Sequence, residues 1–135
     1  MTGLRTLKGI VALMALVMVL GVAAAEQQMS NQGGVVIRVT PGRFAPDAAT
    51  WDFQVVFETH TAQLTGDPAQ FMVLLDPQGR THAALRWDGD PPGGHHRKGV
   101  LRFKPIRPAP ATVTLKIRGI GGVAERVFTW SIADR

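Results

Sequence analysis

From Val35 onward, apolar and polar residues alternate with a period of two between short stretches rich in Gly and Pro. Val35, Ile37 and Val39 alternate with Val36, Arg38 and Thr40; Trp51, Phe53, Val55 and Phe57 alternate with Asp52, Gln54, Val56 and Glu58. Side chains point to opposite faces at successive strand positions, so each apolar set marks one buried face. Phe71–Leu75 is a short continuous apolar run, the pattern of a strand covered on both faces. The turn Asp76-Pro77-Gln78-Gly79 then leads into a strand over Arg80–Trp87, with Pro at the second turn position and Gly at the fourth. Gly99–Lys104, Thr112–Arg118 and Arg126–Ile132 complete the set, the last two with inward faces Val113, Leu115, Ile117 and Phe128, Trp130, Ile132.

The pattern predicts an all-β domain, a seven-stranded immunoglobulin-like sandwich over residues 35–135, with strands A to G in the order just given. No segment after residue 25 has a helical period. The Cys…Trp…Cys hallmark of immunoglobulin domains is missing, so the likeness is one of architecture. A cupredoxin-like sandwich is the competing arrangement, but its blue-copper site needs a thiolate, and the chain has no cysteine. Disulfides and cysteine nucleophiles are excluded with it.

Ahead of the sandwich the chain changes character. Arg5 and Lys8 precede an apolar run from Ile10 to Val22, and Ala23-Ala24-Ala25 follows. Cations, a short apolar stretch and small residues make a cleavable signal peptide over residues 1–25. The run falls short of the ~20 residues that span a bilayer. Residues 26–34 are polar and end in Gly33-Gly34, which reads as a flexible lead-in. The expected mature protein is therefore periplasmic or secreted, with no membrane span. All ten acidic residues but only thirteen of the fifteen Lys and Arg lie in it, a mild basic excess.

Alternating strand direction sorts the histidines. The B–C, D–E and F–G loops share one end of such a sandwich, which collects His60, His95 and His96 together with Glu58, Thr59 and Gly119–Gly122. His82, at the start of strand D, belongs to the other end, a strand length or some 20 Å away. Loops on a rigid scaffold are where binding concentrates. Thr59-His60-Thr61 and the run Gly93-Gly94-His95-His96-Arg97-Lys98-Gly99-Val100-Leu101 resemble a group of exported bacterial β-sandwich proteins of no settled function. The resemblance implies the fold and the export and brings no activity with it.

Three chemistries compete for these residues. Imidazoles of His60, His95 and His96 suit Zn or Cu, with nearby carboxylates completing a site. The spacing contains neither H-x-x-x-H nor H-E-x-x-H, and Arg97 and Lys98 next door repel a cation; the alternative is histidines that pack their loops. Arg102, Lys104, Lys116 and Arg118 form a candidate anion-binding face for an acidic polymer, against the alternative of a solvated strand face. Catalysis has the least support: Ser30 and Ser131 are the mature serines, and no G-x-S-x-G, phosphate loop or dinucleotide fingerprint occurs. With no tyrosine and with Trp and Phe facing inward, no stacking platform for nucleic acid is expected. The sequence thus points to an exported, non-enzymatic binding or interaction module, monomeric or weakly associating, with an envelope protein or an acidic polymer as partner. Trp51 and Trp130 are expected in the core, and Trp87 at the edge of a pocket.

Overall fold

The computed structural model describes residues 25–132, so all of the expected signal peptide except Ala25 lies outside the described residues. Nine strands and one short helix follow in the order β1 (Gln28–Gln32), β2 (Val35–Pro41), β3 (Trp51–Thr59), α1 (Pro68–Phe71), β4 (Met72–Leu75), β5 (Thr81–Ala83), β6 (Arg86–Gly89), β7 (His96–Phe103), β8 (Thr112–Ile120) and β9 (Val123–Ser131). They form two antiparallel sheets, β1-β2-β3-β7-β6 and β5-β4-β8-β9. Their inner faces supply one core: Ile37, Phe53, Phe57 and Leu101 from the first sheet, and Leu74, Leu115, Phe128 and Trp130 from the second. Phe53 meets Trp130 across the interior with ring centroids 5.6 Å apart. The chain is an all-β sandwich. Among the described residues no helix is long and apolar enough to cross a membrane.

Three features differ from the sequence expectation. The flexible lead-in contains a strand. Gly33 and Gly34, with φ of 58° and 72°, make a two-residue turn that folds β1 back onto β2, as positive φ at both central positions permits. β1 carries no apolar alternation because it lies at the sheet edge and is held by polar contacts. Gln28 Nε2 donates to the Thr129 carbonyl at 2.7 Å, Arg126 Nη2 to Gln32 O at 2.7 Å, and Trp130 Nε1 to Glu26 O at 2.8 Å.

The expected strand Arg80–Trp87 divides at Ala84-Leu85: β5 pairs with β4, and β6 pairs with β7 in the other sheet. Two extra strands therefore arise, one from β1 and one from this division. Finally, Asp67 accepts from Ala69 N at 2.9 Å and caps a single helical turn, α1, with Pro68 in its first turn. Phe71 belongs to that turn, and β4 starts at Met72.

Candidate functional site

The site is built where β2 begins and β3 ends. Val35 lies opposite Thr59, and Glu58 opposite His96. β7 thus starts three residues earlier than expected, and His96 is a strand residue, with His95 at its edge. Thr59 is buried, and its hydroxyl donates to Gly34 O at 2.8 Å while accepting from Ala62 N at 2.9 Å and Thr61 N at 3.2 Å. That local turn presents His60 to solvent. Thr59 N donates in turn to His95 O at 2.9 Å.

Asn31, Val36, Glu58 and His96 form one cross-strand row over β1, β2, β3 and β7. With Gly34, Thr59, His60 and His95 they line an open hollow of about 500 Å³ on the outer face of the larger sheet. All three histidines are exposed. Glu58 is ion-paired with Arg38. The hydrogen bond from Arg38 holds its carboxyl below the ordinary value against the opposing effect of partial burial, with smaller contributions from the charges of His96 and His60. Asn31 was missed in the sequence because β1 was missed. The signal available was the Gly33-Gly34 pair, a hairpin turn.

The adjoining loops are tied down by a buried cation. Arg97, next to the histidine pair in sequence, is 3% exposed. Its Nε donates to Asp90 O at 3.0 Å and its Nη1 to Gly66 O at 2.7 Å. The guanidinium lies 5.6 Å from the centre of the Trp87 ring. Burial lowers its pKa, and the charges of Asp67 and Asp90 raise it. Trp87 does not edge the hollow: it faces inward against Phe57 and donates from Nε1 to Asp90 O at 3.1 Å. The β8–β9 turn packs against the β1–β2 turn, where Gly33 and Gly121 are in close contact.

His82 sits at the other end, 3.2 Å from Asp76. Burial opposes the ionisation of Asp76, but hydrogen bonds from the Arg80 side chain, from His82 and from Arg80 N outweigh it and hold the carboxyl at about 2. The metal reading does not find a ligand set. His60, His95 and His96 share the hollow, but among the described residues no three His, Cys, Asp or Glu side chains converge to hold an ion. Arg38 also occupies the one carboxylate in the hollow.

The expected basic face is not one face. Arg102 projects from β7, with Lys104 just past its end, and Lys116 and Arg118 project from β8; β7 and β8 lie in different sheets, so Arg102 points to the opposite side of the sandwich from Lys116 and Arg118. Arg102 is bound to both Asp52 and Asp88, and Lys116 lies 3.3 Å from Glu125. No family model, curated protein or solved structure matches the chain. Its site is therefore read from its own residues.

Proposed function

We infer that the chain is an exported, non-enzymatic binding module of immunoglobulin-like build, and that the histidine-rimmed hollow is its contact surface. The strand order supports the architecture. β2-β3-β7-β6 and β4-β8-β9 follow the A-B-E-D and C-F-G order of that sandwich, with β5 added beside β4 and β1 beside β2. The cations, apolar run and alanines of residues 5–25 support export. The observation that carries the function is the convergence of His60, His95, His96, Asn31 and Glu58 on one open hollow framed by strand ends. Exposed polar side chains on a rigid frame are suited to recognition.

Glu58 in the hollow disfavours an acidic polymer and favours a polar segment of an envelope protein. A photo-crosslinking amino acid at Asn31 or His96, in cells exporting the protein, tests this. A discrete adduct is expected from both positions, and none from Thr114 on the outer face of the other sheet. His60→Ala with His95→Ala should suppress the adduct. Equal labelling from all three positions, or none, overturns the reading.

A further inference from the structure

The larger sheet ends on β1, and the outer side of that strand is bare among the described residues. Alternate residues of an antiparallel strand turn their backbone groups to opposite sides. Thr59 N donates to His95 O, so β3 bonds β7 through Thr59, Phe57 and Val55, and bonds β2 through Glu58, Val56 and Gln54. The same alternation, carried across β2, has Val35, Ile37 and Val39 bonding Gln32, Ser30 and Gln28. The N–H and C=O groups of Met29 and Asn31 therefore point away from the sheet, with no described strand beyond them.

Sheet edges of this kind are ordinarily guarded by charge, proline or a bulge. β1, Gln-Met-Ser-Asn-Gln, has neither charge nor proline, and its register with β2 is unbroken. Its sequence is close to symmetric about Ser30, whose Oγ is buried without a hydrogen-bond partner. Met29 is 59% exposed, and so is Val127, at 60%, on β9, which borders the same side of the sandwich where Gln28 Nε2 meets Thr129 O. We propose that β1 is a self-association edge, which pairs antiparallel with β1 of a second copy about a two-fold axis at Ser30. In that register Met29 and Asn31 exchange hydrogen bonds with Asn31 and Met29 of the second copy, and Gln28 lies opposite Gln32. No like charges meet. Ser30 faces its own counterpart at a non-hydrogen-bonded position, where side chains stand closest and the two hydroxyls come within reach. One patch serves both copies, as an isologous contact requires. Met29 of the second copy then stands beside Asn31 on the outer face and adds an apolar side chain to the rim of the hollow. The pairing does not depend on what the hollow binds.

The test uses the full-length chain in detergent micelles. Amide exchange followed by NMR should be severalfold slower at the Met29 and Asn31 N–H groups in a concentrated sample than in a dilute one. Met29→Lys, at an exposed position, puts a cation on the edge and should remove that dependence at Asn31. The chain has no cysteine, so a single one reports on its own partner. Ser30→Cys should form an intermolecular disulfide at least tenfold faster than Gln54→Cys, because directly opposed Cα atoms about 4.5 Å apart suit the bridge. Gln54 is the more exposed of the two but lies on the third strand from the edge. Exchange at Met29 and Asn31 that is independent of concentration overturns the proposal, as does cross-linking no faster at position 30 than at position 54.

Discussion

Gly89 and Gly99 lie directly opposite each other on β6 and β7, and the Trp87 indole lies over both. A methyl group on Gly99 would stand 2.5 Å from Trp87 Cζ2 and 2.6 Å from Gly89 Cα, and one on Gly89 would stand 2.5 Å from Gly99 Cα. Neither contact can be relieved by turning a flexible side chain alone, because each involves backbone. The paired glycines make the slot in which the indole reaches Phe57 and lies beside Arg97. Gly99→Ala is expected to destabilise the domain by about 3 kcal/mol, the upper range for overpacking. Urea unfolding followed by tryptophan fluorescence checks it, and a loss below about 0.5 kcal/mol would show that the slot is slack.

Arg97 joins the residue 64–66 segment to the start of the β6–β7 loop through backbone carbonyls. Arg97→Ala removes the guanidinium donor from Gly66 O and one of the two donors from Asp90 O, which keeps Trp87 Nε1; the loss of these charge-assisted bonds has an expected cost of about 3 kcal/mol. Arg97→Lys keeps the charge but lacks the planar fork that serves Asp90 O and Gly66 O together, so it should recover less than half of the loss. Hydrogen exchange should accelerate first at Gly93, whose N–H donates to Leu64 O at 2.8 Å. A lysine variant as stable as the parent would refute the fork.

The strands most readable in the sequence are those whose alternate residues enter the core: Val35–Val39, Trp51–Phe57, Val113–Ile117 and Phe128–Ile132. Period two follows directly from burial of one face. β1 is hidden because Gln28–Gln32 bury almost nothing and are fixed by hydrogen bonds with Arg126 and Thr129, about a hundred residues away in the chain. Arg80–Trp87 reads as one strand because both halves are short, polar and exposed at sheet edges; nothing local says that Ala84-Leu85 changes sheet. The same ignorance of sheet membership merged Arg102 and Lys116 into one face. Alternation shows that both point outward, but not that they point in opposite directions. The gathering of His60, His95 and His96 needed only strand direction, which is why it was legible while their chemistry was not.

β1 offers a direct test of a strand that the sequence conceals. A chain of residues 26–135 keeps Glu26 O and the whole β1–β2 hairpin. A chain of residues 34–135 loses the partners of Thr129 O, Arg126 Nη2 and Trp130 Nε1. Three such bonds are worth about 3 kcal/mol together, which corresponds to a fall in Tm of roughly 10–20 °C for a domain of this size. Differential scanning calorimetry of the two chains measures the fall. Equal melting temperatures would mean that the lead-in is dispensable after all.

The end opposite the histidines should govern acid stability through Asp76. Its side chain is 1% exposed. Its carboxylate accepts from Gln78 N and Arg80 N at 3.0 Å each and from Arg80 Nε at 2.7 Å. The folded-state pKa of about 2 lies below the ordinary 3.8, so the unfolded chain takes up this proton first as the pH falls. The contribution of Asp76 is therefore fully present above about pH 4 and is lost progressively between about pH 4 and pH 2. Asp76→Asn retains an oxygen for the two backbone donors but loses the charge that Arg80 and His82 face. The variant should be less stable than the parent at pH 6, and the gap should narrow steadily as the pH falls from 4 to 2. Urea midpoints for both proteins across that range decide the matter. A gap independent of pH would assign the role of Asp76 to the geometry of its turn alone, with its charge contributing nothing.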